Sequence, residues 1–180
     1  MVTVLAGRRI DPPEADAHRF PIANIPAVRE RIRKLLAGKS TTLVCSAACG
    51  ADLLALDEAG KLRIRRRIVL PFARERFRET SVVDRPGEWG AMFDRIMDEV
   101  ERAADAVILP LDPDDCEAFT TTNRAILQEA DAISREANQK ILAVLVWDGG
   151  NRGGDDFTAD FRDEVARRGY PVFEILTAGI

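Results

Sequence analysis

The chain has a single histidine, His18, among 180 residues, and this narrows the chemistry at once. One histidine does not furnish a typical catalytic zinc site, which combines several imidazoles or an imidazole with other ligands. No G-x-S-x-G elbow is present to pair with it, so a Ser-His-Asp hydrolase is not expected. The three cysteines, Cys45, Cys49 and Cys116, are odd in number and lack C-x-x-C spacing, which argues against a disulfide framework and a structural zinc site. No apolar run approaches the eighteen or so residues of a membrane span. Met1–Gly7 lacks the length and basic flank of a signal peptide and reads as a buried first strand, so a cytoplasmic location without membrane partners is expected. Basic excess is missing too: 26 Lys and Arg stand against 30 Asp and Glu, a net charge of −4, which argues against broad nucleic-acid binding. The local run Lys61, Arg63, Arg65, Arg66, Arg67 reads best as a cationic helix end leading into a strand.

What the chain has is a rhythm of short aliphatic runs alternating with helical stripes. Strands are expected at Thr3–Ala6, Thr42–Cys45, Arg67–Leu70, Ala106–Leu109, Ile141–Trp147 and Val172–Ile175. Several lack apolar/polar alternation, as strands buried on both faces do. Between them, Val28, Ile32, Leu35 and Leu36 form one stripe, Phe93, Ile96, Met97 and Val100 a second, and Ile126, Ala130, Ile133 and Ala137 a third. A last helix carries Phe161 and Val165 and stops at Arg167-Arg168-Gly169 before Pro171. The pattern predicts a Rossmann-like α/β fold: a three-layer αβα sandwich around a mainly parallel sheet of about six strands, in one domain over residues 1–180. Two irregular segments, 8–24 and 72–89, follow strand ends, where open parallel sheets bind ligands.

Four strand-end loops are candidates for binding. Ser46, Ala47, Cys49, Gly50, Ala51 and Asp52 join a buried strand to a helix; short side chains there let a phosphate approach main-chain amides and a helix N-terminus. The same loop also reads as a tight turn with Asp52 as a cap or first-turn carboxylate. It is not a Walker A loop, since no Gly-Lys-Ser/Thr follows. Pro71, Phe72, Arg76, Thr80 and Ser81 offer an arginine for an anion and an aromatic for a base, or else a surface helix docked by its phenylalanines. Trp147-Asp148-Gly149-Gly150-Asn151-Arg152-Gly153-Gly154-Asp155-Asp156-Phe157-Thr158 is a phosphate cradle built on Gly153, Gly154 and Thr158, or a flexible connector with Asp156 or Thr158 capping the helix. Gly7, Arg9 and Asp11 close the first strand. On this reading Gly50→Val weakens binding more than folding.

These four segments together resemble the SLOG superfamily, the Rossmann-like group joining DprA/Smf DNA-processing proteins with LOG phosphoribohydrolases, and most of all its bacterial signalling and defence modules. The likeness rests on Gly7–Asp11, Ser46–Asp52, Val69–Phe72 with Arg76-Phe77 and Thr80-Ser81, and Trp147–Gly149 with Gly153-Gly154 and Thr158. It implies a sensor or ligand-binding domain for a nucleotide or nucleotide-derived messenger of the ADP-ribose or cyclic-nucleotide kind. It further implies a fused or associated effector domain, pairing as a homodimer, and no required cofactor. Two departures stand out. Gly7-Arg8 occupies the place of a Gly-His pair, and Phe161 stands where the LOG motif P-G-G-x-G-T-x-x-E has its acid, with Asp160 nearby. A glycosidic bond needs a placed acid, so a LOG-like N-glycosidase is a lesser expectation and DprA-like single-strand DNA handling a third.

Overall fold

The computed structural model describes residues 1–154 and 156–180; Asp155, part of the last glycine-rich loop, lies outside the described residues. The aliphatic runs form β1 (Val2–Gly7), β2 (Thr42–Cys45), β3 (Arg65–Leu70), β4 (Ala106–Ile108), β5 (Ile141–Trp147) and β6 (Val172–Leu176). They pair in the order β4-β3-β2-β1-β5-β6, every pair parallel. The helices are α1 (Ile25–Lys39), α2 (Ala51–Lys61), α3 (Arg74–Ser81), α4 (Trp89–Arg102), α5 (Ala118–Ala137) and α6 (Phe157–Arg167). This is the expected Rossmann-like three-layer sandwich.

Period two on β1 divides the core. Leu5 joins Ile32, Leu54, Phe77, Phe93 and Met97 from α1–α4 on one face, while Val2 and Val4 join Ile126, Leu127, Phe161 and Val165 from α5 and α6 on the other. The chain steps outward from β1 to β4, then returns through α5 to β5 on the opposite side of β1. The topological switch point therefore lies between β1 and β5.

Besides one-residue shifts at the ends of β1, β4 and β6, the structure departs from the sequence reading around β3. The segment 72–89 contains α3, and β3 begins at Arg65 rather than Arg67. The strand accommodates its arginines because acids from neighbouring elements meet them: Arg65 bonds Asp105, Arg66 bonds Glu99 and Arg67 bonds Glu129. On α2, residues Ala51–Ala59 are all buried, Asp57 and Glu58 included. Arg29 from α1 reaches both acids at 2.5 and 2.7 Å, Lys61 reaches both, and Arg95 from α4 reaches Asp57 at 2.7 Å. This network hinges three helices together and uses the acids' charge locally. Among the described residues, no helix is long and apolar enough to cross a membrane.

Candidate ligand-binding site

A cavity of about 350 Å³ opens at the carboxyl ends of β1 and β2. Leu5, Ala6, Gly7 and Ser46 form its base, the segment after β1 and the end of α3 one side, and the first turns of α5 and α6 the other. Gly7 is dictated by packing: a Cβ there would collide with Ala51 and lie 2.5 Å from the Val146 carbonyl oxygen. The close approach of β1, β5 and the start of α2 at the switch point depends on its absence.

The side chain of Arg8 locks the glycine-rich loop. Its guanidinium is 4% exposed and donates to both Asp156 oxygens (2.5 and 2.9 Å), to Asp148 Oδ1 (2.7 Å) and to the Gly150 carbonyl (2.5 Å), lying over the Trp147 ring. Asp148 is shared with Arg19 at 2.6 Å. Asp156 also accepts the Ala159 N–H as the α6 N-cap and the Arg152 N–H. Although burial opposes its ionisation, these partners, Arg8 foremost, hold its carboxyl down at about 2. Gly153 and Gly154 are exposed, adopt positive φ and stand away from the cavity wall, with the Gly153 N–H donated to Asn151; Thr158 in the first turn of α6 does line it. Asp11 lines the cavity as well, while its carboxylate accepts the Arg19 and Phe20 N–H groups and closes the loop 11–20.

In the small-residue loop several amides already have acceptors. Ala48 N–H donates to Asp52 (3.2 Å), Cys49 N–H to the Ser81 carbonyl (3.0 Å) and Ala51 N–H to the Arg8 carbonyl (3.1 Å). Gly50, at φ 98°, faces that same Arg8–Ile10 backbone: a Cβ would lie 2.7 Å from Arg8 O and 2.9 Å from Ile10 N. Its lack of a side chain serves chain packing rather than access for a ligand, which removes the basis for expecting Gly50→Val to act mainly on binding. Ala47 and Cys49 are buried beside it. Burial pushes the Cys49 thiol up, and the Arg9 guanidinium counters part of that rise. Ser46 and Asp52 reach the cavity. Burial raises the Asp52 carboxyl to about 7 against the lowering pull of Ala48 N–H and Arg9.

Positive charge enters from Arg9 and Arg85, both cavity-lining and bridged by Asp84. Each buries an Nε that has no hydrogen-bond acceptor among the described residues. Such an orphaned donor costs roughly 1–3 kcal/mol, and an acceptor seated in the cavity would relieve it. Thr80 and Ser81 line the same end. Arg76 does not: it is exposed and pairs with Glu79 at 3.3 Å, while Pro71 is tied through its carbonyl to Leu111 N–H. Another part of the lining is aromatic. Phe72 packs against Phe77 and Phe119 with centroids 6.1 Å apart, and Phe119 against Phe157 at 5.0 Å, all four facing the cavity. Asn123 stands among them and donates to the Phe157 carbonyl. Sequence reasoning missed Arg85, Phe119, Phe157 and Asn123. The position of Arg85 in the segment 72–89 was its one signal; the other three become neighbours only when α5 and α6 pack.

An all-parallel sheet with helices on both faces and a polar-and-aromatic cavity beside its switch point defines a Rossmann-like α/β protein. No family model and no curated protein matches the chain. Among solved structures it is similar to DNA processing protein A (DprA) from Streptococcus pneumoniae, with 14% identity and a TM-score of 0.41 over 95% of this chain and 58% of that one. The chain thus spans less than two thirds of that protein's length.

Proposed function

We propose that the chain is a binding module of the SLOG type for a nucleotide or nucleotide-derived small molecule. The observation that carries this reading is the division of one cavity into a cationic end, at Arg9 and Arg85, and an aromatic wall of Phe72, Phe77, Phe119 and Phe157. A phosphate suits the first and a base the second, with base–aromatic stacking contributing about 1–3 kcal/mol per base. A volume of about 350 Å³ falls in the range of roughly 300–1,000 Å³ usual for small-molecule sites. The glycine-rich loop is the poorer phosphate seat, because Asp148 and Asp156 already hold Arg8 there.

Asp160 and Glu164, the acids that a glycosidase reading would use, line a separate depression between α5 and α6 with Glu117 and Arg167. DNA handling gains nothing from the basic run, since Arg65, Arg66 and Arg67 are each engaged by a carboxylate. Calorimetric titration with AMP, ADP-ribose, cyclic ADP-ribose, NAD and cyclic AMP tests the reading. Saturable binding of at least one is expected, and absence of heat from all five at millimolar concentration refutes it.

A further inference from the structure

Asp52 sits in the first turn of α2, lines the cavity and is only 7% exposed. Among the described residues, the hydrogen bond its carboxylate receives is Ala48 N–H to Oδ2 at 3.2 Å, and no ion pair involves it. The charged and titratable groups around it come from three directions. Arg9 approaches from the segment after β1, Cys45 from the end of β2, and Asp84 with Arg85 from beyond α3; the part of α5 that faces the cavity presents Thr122, Asn123 and Ile126, all neutral. A carboxylate would therefore face the very end of the cavity at which an anion is expected, without a cation of its own.

We propose that Asp52 is a specificity-determining residue, a carboxyl that enters the complex as the neutral acid and shares its proton with an oxygen of a bound phosphate monoester. The proposal rests on the nucleotide-binding reading and adds to it a coupled proton. As the acid, Asp52 donates one O–H to the phosphate oxygen and keeps its other oxygen for Ala48 N–H, so no like charge opposes the anion. As the carboxylate, it would neutralise the charge contributed by Arg9 and Arg85 and repel the ligand. Its burial already holds the proton to about pH 7 in the free chain, and a phosphate placed beside it raises that affinity further. Carboxyl and phosphate then titrate as one pair. Above pH 7 the complex must take up a proton that the free partners lack.

The test is calorimetry of the full chain with AMP and with inorganic phosphate between pH 6 and 9, at each pH in two buffers of different ionisation enthalpy. Affinity is expected to fall by up to about tenfold per pH unit above 7, with uptake approaching one proton per ligand at pH 8. Asp52→Asn, which cannot titrate, should abolish both the uptake and that slope. AMP binding whose affinity is flat from pH 6 to 9, or an Asp52→Asn chain that keeps the proton uptake, overturns the proposal and leaves the binding reading standing. A carbon-13 titration of the Asp52 carboxyl in the ligand-free wild-type chain makes the decision independent of the variant's folding: ionisation already complete at pH 5 overturns the proposal. Failure of both AMP and phosphate to bind at pH 6, with Asp52 still protonated, instead overturns the binding reading and the proposal with it.

Discussion

Arg8→Met removes the cation that joins the end of β1 to the loop after β5 while leaving a side chain of similar reach to cover Trp147. Asp156, at 1% exposure, would lose two hydrogen bonds of 2.5 and 2.9 Å, and Asp148 one of 2.7 Å. Breaking a buried pair by deleting one partner costs about 3–5 kcal/mol, chiefly because the other charge is stranded. Compensation is available here. Asp148 keeps Arg19, and Asp156 keeps the Arg152 and Ala159 amides, which places the expected loss at the lower end, about 3 kcal/mol. The titration of Asp156 gives a second route to the figure. Holding a carboxyl down from its ordinary 3.8 to about 2 corresponds to roughly 2.5 kcal/mol. The sign follows from the direction: a depressed folded-state value stabilises the fold above the unfolded value and ceases to do so as the pH falls through the folded one. The difference between wild type and Arg8→Met should thus be full at pH 7 and close between about pH 4 and pH 2. Urea unfolding followed by tryptophan fluorescence measures it, and a midpoint fall equivalent to roughly 6–12 °C in Tm is expected for a chain of this size. A loss below about 1 kcal/mol at pH 7, or a difference that persists unchanged to pH 2, would refute the reasoning.

Gly50→Val should destabilise the fold by about 2–3 kcal/mol, because its Cβ meets the Arg8 and Ile10 backbone at a positive φ; an unchanged urea midpoint would show that the loop yields. Phe119→Ala should weaken AMP by about 1–3 kcal/mol and spare inorganic phosphate, and equal losses for the two ligands in calorimetry would place the base elsewhere. Arg85→Ala should cost phosphate about 1.5–3 kcal/mol while Arg76→Ala changes nothing measurable; the reverse ranking would move the anion to the outer face of α3. Asp57, held at about 2 by Lys61, Arg29 and Arg95 despite burial, stabilises the fold above pH 4 and ceases to as the pH falls to about 2. Asp57→Asn should remove that acid-sensitive part of the unfolding curve, and an unaltered acid limb would show that the network contributes nothing.

The sheet was legible because its evidence is local. A buried parallel strand is a short aliphatic run wherever it lies, and Thr42–Cys45 and Ile141–Trp147 appear with the boundaries their sequences suggest. The helix α3 was not, since Arg-Glu-Arg-Phe-Arg-Glu-Thr-Ser carries one large apolar residue, too few to show a period. Yet the same helix explains Arg76. Phe77 and Ser81, four apart, face inward, so the residue before Phe77 is turned about 100° from that face and reaches solvent. The partners of Arg8 lie 140 and 148 residues away, a pairing that only the register of β1 on β5 brings about.

That pairing is also what gives the cavity its polarity. Two basic groups compete for an anion, Arg8 with the glycine-rich loop and Arg9 with Arg85. In the fold, the donors of Arg8 are taken by Asp148, Asp156 and Gly150 O, whereas Arg9 and Arg85 share one bridging acid, Asp84, and each leaves an Nε without an acceptor among the described residues. Charge neutralised by a buried carboxylate no longer attracts a ligand, so the anion's place is decided by where acids are scarce. At the Arg9 end Asp52 is a further acid, which burial keeps protonated to about neutral pH, and the net positive charge of that end therefore turns on a single proton.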